Sequence, residues 1–490
     1  MKNFLALLLL ATLVSVSAAA NPPNIVVMLA DDMGYGEVQC LNPERGKIAT
    51  PCLDALAKEG MIFTDAHSGS SVCTPTRYGL LTGRYAWRTR LQGGVLTGGP
   101  SLIAADRVTM AKMLKKQGYD TALIGKWHLG MLYDGKENGS GNVSVGAAVT
   151  DGPIDAGGFD TYYGFHHSRQ MSVLIENEKV IANIEPVEML PKLTKRASEY
   201  IASRKGKGKK PFFLYVAWNS PHSPVVPAPE WQGKSGLNAH ADFVMQTDHG
   251  FGQVVKALKE NGLFENTLII CSADNGTSAG TSKKSQLQEK GHYCSANLRG
   301  SKADIWDGGH RVPFIASWPG VIKPGTRTDH LICLTDIFAT AAQITGYKIA
   351  DTVAEDSVSF LATLEGKKQE QRMPVVHHSI AGYFAIRDGD YKLALCPGSG
   401  GWTNPGPSGK NWQKVVDAGQ PLVQLYQMQK DIGETNNLAA TEPERVKTLH
   451  KALETIVSKH ANDVSVQVNK SPLGKEKGKK EKKKKGKKEK

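Results

Sequence analysis

Four short apolar runs in this chain, residues 25–30, 121–124, 211–217 and 267–272, each lead into groups that can do chemistry. The first ends in Asp31-Asp32, the second in Gly125-Lys126-Trp127-His128, the third in Asn219-Ser220-Pro221-His222, and the fourth in Ala273-Asp274-Asn275-Gly276. Continuous apolar runs of this length read as strands covered on both faces. In an open α/β sheet, ligands bind beyond the carboxyl ends of the strands, so these polar groups are expected to share one edge. Asp31, Asp32, Asp274 and Asn275 offer hard oxygen donors and no thiolate, a set suited to Ca²⁺ or Mg²⁺ rather than zinc. One acidic pair alone reads equally as a turn or a helix cap. Its recurrence at two strand ends is what points to a metal.

A second element is Ser71-Val72-Cys73-Thr74-Pro75-Thr76-Arg77. Pro75 fits the early turn of a helix that Leu80 and Leu81 continue, which puts Cys73 at or just before its N-terminus. Backbone N–H groups and the helix dipole favour an anion there, and Arg77 follows one turn along. A cysteine so placed is expected to have a lowered pKa and is a candidate nucleophile. The plainer reading is a buried structural cysteine.

The elements that must hold these residues alternate. Thr50-Pro51 opens a helix through Lys58, with Thr50 as N-cap and Gly60 beyond its end. Residues 61–63 resume an extended run, and Asp106 caps a helix that stops before Gly118. A long helical stretch lies between the third and fourth strands, with Phe243, Phe251, Val255 and Leu258 inward. Strands alternating with helices imply an α/β fold: a large, mixed, mostly parallel sheet between helices. After about residue 365 the pattern changes. Runs at 383–386 and 391–395 flank Arg387-Asp388-Gly389-Asp390, a hairpin with an Asp-Gly turn. Residues 423–428 add a strand and 442–460 a closing helix, together a smaller antiparallel α+β unit.

The run Cys73-x-Pro75-x-Arg77, followed by Leu81-Thr82-Gly83-Arg84, resembles the signature of the type I, arylsulfatase-like sulfatases of the alkaline phosphatase superfamily. The likeness covers nearly the whole chain beyond residue 20. Asp31-Asp32, Gly125-Lys126-Trp127-His128-Leu129-Gly130, Pro221-His222-Ser223-Pro224 and Ser272-Ala273-Asp274-Asn275-Gly276 stand in that family's order. So do Arg299-Gly300-Ser301-Lys302, Trp306-Asp307-Gly308-Gly309-His310-Arg311-Val312-Pro313, and Leu425-Tyr426 to Glu434-Thr435-Asn436-Asn437-Leu438.

The resemblance implies a sulfuric ester hydrolase in which Cys73 is oxidised by a maturation enzyme to formylglycine, hydrated to a gem-diol. One diol oxygen attacks sulfur, the alcohol leaves, and the second hydroxyl lets the sulfated intermediate collapse to aldehyde and sulfate. It implies Ca²⁺ held by Asp31, Asp32, Asp274 and Asn275 and touching residue 73. Arg77, Lys126 and Lys302 would surround the sulfate and hold the diol, His128 would assist the diol proton and the collapse of the sulfated intermediate, and His222 and Lys302 would face the leaving oxygen and supply its proton. An ordinary lysine is a poor proton donor at neutral pH, so charges around Lys302 must matter. The substrate is expected to be a sulfated small molecule or glycan. A phosphonate or phosphate ester hydrolase of the same superfamily, and a non-catalytic sulfated-glycan binder with an unmodified thiol, are the alternatives.

Residues 1–20 read as a secretory leader: Lys2, an apolar run at 4–16, and Ser17-Ala18-Ala19-Ala20. Export to the periplasm or the exterior is expected, and no later run suggests a transmembrane segment. The domains are then 21–365, catalytic, and 366–465, α+β, followed by a Lys-rich tail at 466–490. The formal charge of +13 sits mostly in that tail, where residues 470–490 carry twelve Lys and three Glu. The tail is expected to be disordered, and either a solvated appendage or a contact for anionic surfaces. Five further basic residues fall at 204–210, and the remaining body is near neutral, which excludes a broad nucleic-acid-binding face. Of seven cysteines at least one must be unpaired, and none has zinc-site spacing; Cys52 and Cys271 read as small buried apolar groups.

His166-His167, His249, His310 and His377-His378 are expected to fill surface or core roles. His310-Arg311 and 166–169 are the best placed of these to meet a charged substrate. Asp336 reads as part of an N-cap. Asn138 and Asn142 stand in glycosylation sequons, as does Asn275, where modification would collide with the metal.

Overall fold

The computed structural model describes residues 22–137, 143–206, 210–369, 372–406 and 412–459. The leader, the Lys-rich tail, Asn138 and Asn142 lie outside them. No helix among the described residues is long and apolar enough to cross a membrane.

Ten strands form one sheet: β1 (Asn24–Asp31), β2 (Met61–Phe63), β3 (Asp120–Lys126), β4 (Thr161–Phe165), β5 (Val173–Glu176), β6 (Lys179–Asn183), β7 (Phe212–Pro221), β8 (Thr267–Ala273), β9 (Phe314–Ser317) and β10 (Thr326–Thr328). Their order is β10-β2-β9-β8-β1-β7-β3-β4-β5-β6. The central five, β8-β1-β7-β3-β4, are parallel, and antiparallel pairs lie toward both ends. Every residue of β1 and β7 is buried, as the unbroken apolar runs require of strands covered on both faces.

Helices α1 (Pro51–Lys58), α4 (Pro186–Ala202) and α5 (Ala239–Glu260) pack together in one layer. Helices α2 (Cys73–Thr82), α3 (Met110–Lys116) and α6 (Asp336–Thr345) pack in another. The inner face of α5 is set by Phe243, Phe251 and Leu258, all buried, with Val255 half-buried.

Three helix starts differ from the sequence expectation. Thr50 precedes α1 but does not cap it with its side chain. Asp248, reaching over from α5, accepts from the backbone N–H of Cys52 at 3.0 Å and Leu53 at 2.8 Å instead. Helix α3 begins at Met110, and its cap is Thr109, which accepts from Lys112 N; Asp106 is not the cap. Asp336 is the first residue of α6 rather than its cap, and accepts from Cys333 N, Val358 N and Arg372.

A separate antiparallel sheet follows, in the order β11 (Val375–His378), β12 (Phe384–Asp388), β13 (Tyr391–Ala394) and β14 (Gln424–Gln427). Asp388 pairs with Tyr391, so the two-residue loop is Gly389-Asp390, one position later than the Asp-Gly turn expected. Leu449, Leu453 and Val457 of α7 (Pro443–Ser458) pack on this sheet, as do Tyr85 and Trp87, which follow α2.

Lys392 joins this sheet to the larger one. Its buried Nζ lies 2.8 Å from Asp307 and 2.7 Å from Glu434. Removing the cation strands two buried carboxylates, so Lys392→Ala is expected to destabilise the protein by about 3–5 kcal/mol. A denaturant midpoint equal to that of the wild type would show that the pair does not couple the two sheets.

Candidate active site

Parallel register assembles the site. Ala30 of β1 pairs with Ala273 of β8, so Asp31 and Asp274 leave the sheet side by side. On the other flank Asp31 pairs with Pro221 of β7, and Ala217 of β7 pairs with Gly125 of β3, which brings His222 and Lys126 to the same edge. Gly125 has φ +122°, and a Cβ there would lie 1.8 Å from the Ala217 carbonyl oxygen, so only glycine lets β3 approach this closely. The chain turns sharply after β1, with Asp32 at φ +66°, and the Asp32 N–H donates to Asp274 Oδ1 at 3.0 Å.

Three buried carboxylates meet three buried cations here. Lys126 Nζ is 2.6 Å from Asp31 Oδ2. Arg77 holds Asp274 Oδ2 through Nη2 at 2.7 Å and Nε at 3.1 Å. Lys302 Nζ bridges both oxygens of Asp32 at 2.6 and 2.7 Å. Burial opposes ionisation of Asp31 and Asp32, but Lys126 at Asp31 and Lys302 at Asp32, with His222 near both, outweigh it and hold these carboxyls below the usual range. Asp274 goes the other way: burial and the adjacent Asp31 push it up to about 7, despite Arg77.

The same groups fit a hard cation. Asp31 Oδ1 and Asn275 Oδ1 are buried acceptors that receive no hydrogen bond. Such atoms are costly to leave unpaired, and an oxygen-loving divalent ion satisfies them. The Asn275 Nδ2 donates to Asp32 Oδ1 at 2.8 Å, which fixes the amide so that its oxygen is the free end. With the carboxylates and cations balanced, an added divalent ion leaves the site positive, which suits an anionic substrate.

Cys73 is the first residue of α2, and every residue of that helix is buried. Its Sγ and carboxylate oxygens of Asp31 and Asp274 all lie within 4.8 Å of one another. The lowered pKa expected from the helix terminus is not what the surroundings produce. Burial pushes the Cys73 thiol up and Lys126 and Lys302 only partly offset it, so the residue sits as a neutral thiol.

His222 lies at the rim, with Nδ1 2.7 Å from the Ser223 carbonyl oxygen and Nε2 3.6 Å from Asp32 Oδ2. His128 is buried, with φ +58°, Nε2 2.8 Å from the Leu96 carbonyl oxygen and Nδ1 without a hydrogen bond. Burial and Lys126 keep its pKa well below the ordinary histidine value. His166 and His167 pack against it and are buried too. His310 and Arg311, by contrast, join a different buried network with Asp65, His67, His377, Asp307 and Lys392. All seven cysteines are free thiols.

Glu37 was not among the residues singled out from the sequence. Its buried carboxylate accepts from Gly34 N at 2.7 Å and Thr277 Oγ1 at 2.8 Å and pairs with His240. Thr277 O in turn accepts from Lys302 N at 3.0 Å. Glu37 thus ties the turn after Asp32 to the turn after Asn275. The available signal was Gly34-Tyr35-Gly36-Glu37 directly after the acidic pair.

The profile of the family described as Sulfatase matches residues 23–347. An N-acetylgalactosamine-6-O-sulfatase of Bacteroides thetaiotaomicron is 30% identical over 495 residues, covering 89% of this chain and 93% of that protein. Human arylsulfatase A is 31% identical over 478 residues, covering 90% of this chain and 89% of its own. A Bacteroides thetaiotaomicron structure solved in a study of glycosaminoglycan metabolism superposes with a TM-score of 0.77 at 28% identity, covering 89% of this chain and 99% of that one.

Metal ligands must be ionised, so proton binding at Asp274 near pH 7 competes with a divalent ion. Calorimetric titration with Ca²⁺ is expected to show tighter binding at pH 8 than at pH 6, with protons released at the lower pH. Equal affinity at both, with no proton release, would remove Asp274 from the ligand set.

Proposed function

Because the chain belongs to the sulfatase family and is a sulfuric ester hydrolase, we propose that it removes sulfate from a sulfated carbohydrate, using formylglycine made from Cys73 and Ca²⁺ held by Asp31, Asp32, Asp274 and Asn275. The observation that carries the site assignment is the meeting of Cys73 with Asp31 and Asp274 inside a ring of Arg77, Lys126 and Lys302. The sugar is supported by the N-acetylgalactosamine-6-O-sulfatase to which the chain is similar along most of its length.

Calcium at these oxygens would supply Lewis acidity toward a sulfate oxygen. Formylglycine would supply a diol, one hydroxyl to attack sulfur and another whose loss of a proton re-forms the aldehyde as the C–O bond to sulfate breaks. The remaining work falls to the protein's own side chains. Lys126 spends one of its three N–H donors on Asp31 and has two left for the diol and the sulfate. Arg77 is pinned by Asp274, so its guanidinium fixes the position of residue 73 and the anion beside it. Burial lowers the Lys302 pKa, but Asp32 more than reverses this, so the ammonium stays charged. Lys302 therefore stabilises negative charge on the leaving oxygen rather than donating a proton to it. The proton comes from His222. Burial holds its pKa below the ordinary histidine value although Asp32 and Asp31 oppose this, so the ring gives up a proton readily once it carries one; with Nδ1–H held by the Ser223 carbonyl, that proton leaves from Nε2, on the Asp32 side. His128, buried and kept neutral, would accept the diol proton through Nδ1, the ring nitrogen without a hydrogen bond.

The catalytic unit is proposed to span 21–365 and the smaller unit 366–465, in an exported protein. A maturation enzyme acting on Cys73 is the partner this requires.

Sulfate release from a panel of defined sulfated sugars, with 4-nitrophenyl sulfate as reference, tests the reading. Cys73→Ala is expected to abolish release while leaving the circular dichroism spectrum unchanged, and the wild-type peptide around residue 73 is expected to show the mass of an aldehyde in place of the thiol. Undiminished turnover by Cys73→Ala would sink the assignment. Lys302→Ala is expected to lower kcat about 10²–10³-fold, the effect of losing one donor to developing charge.

A further inference from the structure

We infer that Trp402 is a stacking platform at the mouth of the active site, packing on the sugar ring next to the one that carries the sulfate; the inference rests on the carbohydrate reading above. Trp402 is an exposed aromatic side chain, with 55% of its surface open. An exposed indole offers a flat apolar face with one polar N–H edge, which suits a ligand that is apolar on one side and hydroxylated at its edge.

The loop that carries Trp402 is fixed against the catalytic segment. The backbone N–H groups of Trp402 and Thr403 both donate to Asp304 Oδ1, at 2.9 and 3.0 Å. The other carboxylate oxygen of Asp304 accepts from Ser301 N at 2.8 Å. Asp304 therefore spans from the residue before Lys302 to the residue that bears the indole. The Ile305 N–H donates to Ser399 O at 2.7 Å, closing the same junction from the other side. A Cβ at Gly401 would lie 2.3 Å from the Ala303 carbonyl oxygen, so the loop backbone touches the residue next to Lys302 directly.

That junction is the rim of the site. The Ala303 N–H donates to Ser71 O, two residues from Cys73, and the Ala303 carbonyl accepts from Ile380 N. Ile380 O accepts from Gly94 N, and Leu96 O contacts His128 Nε2. Segments 93–96, 379–382 and 399–403 thus run as one border from His128 round to Lys302. Lys302 points its Nζ into the carboxylate cluster, while Trp402, on the same junction, points outward. A sulfate ester seated at Lys302 directs the rest of its saccharide along this border. The flat, weakly polar face of a pyranose, with its axial C–H groups, is what an exposed indole on a rigid loop fits. An isolated aryl or alkyl group on the sulfate would leave the indole uncovered.

Wild type, Trp402→Ala and Trp402→Phe are compared on a sulfated monosaccharide that the wild type hydrolyses and on an oligosaccharide built on it. Trp402→Ala is expected to raise KM for the oligosaccharide about tenfold, the scale of losing one aromatic contact, with kcat and monosaccharide turnover unchanged. Trp402→Phe is expected to recover most of the loss. Binding of the oligosaccharide should shift indole emission in the wild type and not in Trp402→Ala. Equal KM for wild type and Trp402→Ala on an oligosaccharide that is hydrolysed would overturn the platform alone. Turnover of 4-nitrophenyl sulfate but of no sulfated sugar would overturn the carbohydrate reading, and the platform with it.

Discussion

Three carboxylates buried against one another are the constraint to which the rest of the site answers. Asp31, Asp32 and Asp274 lie together because parallel strands in register end together. Burying such charges without partners would cost more than a fold of this kind can offset. Each one therefore has a cation: Lys126 from the end of β3, Arg77 from one turn into α2, and Lys302 from the loop between β8 and β9. The arrangement leaves acceptors on Asp31 and Asn275 that only a cation or a donor can satisfy. It is also why an anion is welcome once a divalent ion is seated.

Much of this was legible in the sequence because strand runs and their polar ends are local features. The apolar runs fixed which strands are doubly covered, and the rule that ligands collect at carboxyl edges put Asp31, Lys126, His222 and Asp274 together. Pro75 and Arg77 placed Cys73 at a helix start. What was not legible depends on groups far apart in the chain. No local pattern reveals that Asp248 caps α1 from another helix, or that Asp304 ties down the loop at Trp402. The state of the Cys73 thiol was misjudged for the same reason: a helix terminus and a nearby cation are visible locally, whereas complete burial is a property of the whole fold. His310 and Arg311 stand in a matched motif, yet their side chains turn to Asp65, Asp307 and Lys392 and serve the junction between the sheets.

The smaller sheet has a second part in the architecture besides closing a core. Through Ile380, Ser399 and Trp402 it supplies part of the border of a site whose reacting groups all come from the larger sheet and its loops. On the proposed reading, chemistry and selectivity would be carried by different segments. The cluster of charges is inflexible, because moving any carboxylate strands a cation, but the border loops can change length and composition without touching it.

Helix α2 is enclosed along its entire length, with Cys73 at its first position and only 2% of that residue open to solvent. An enzyme that must grip several residues around a thiol cannot reach into such a place. The proposed conversion of Cys73 would therefore fall between synthesis and collapse of the chain, while the segment is still an extended peptide. A copy that folds too early would be sound, long-lived and permanently inert. The fraction of active molecules in a preparation would then record a race won or lost during biogenesis, not the stability of the finished protein.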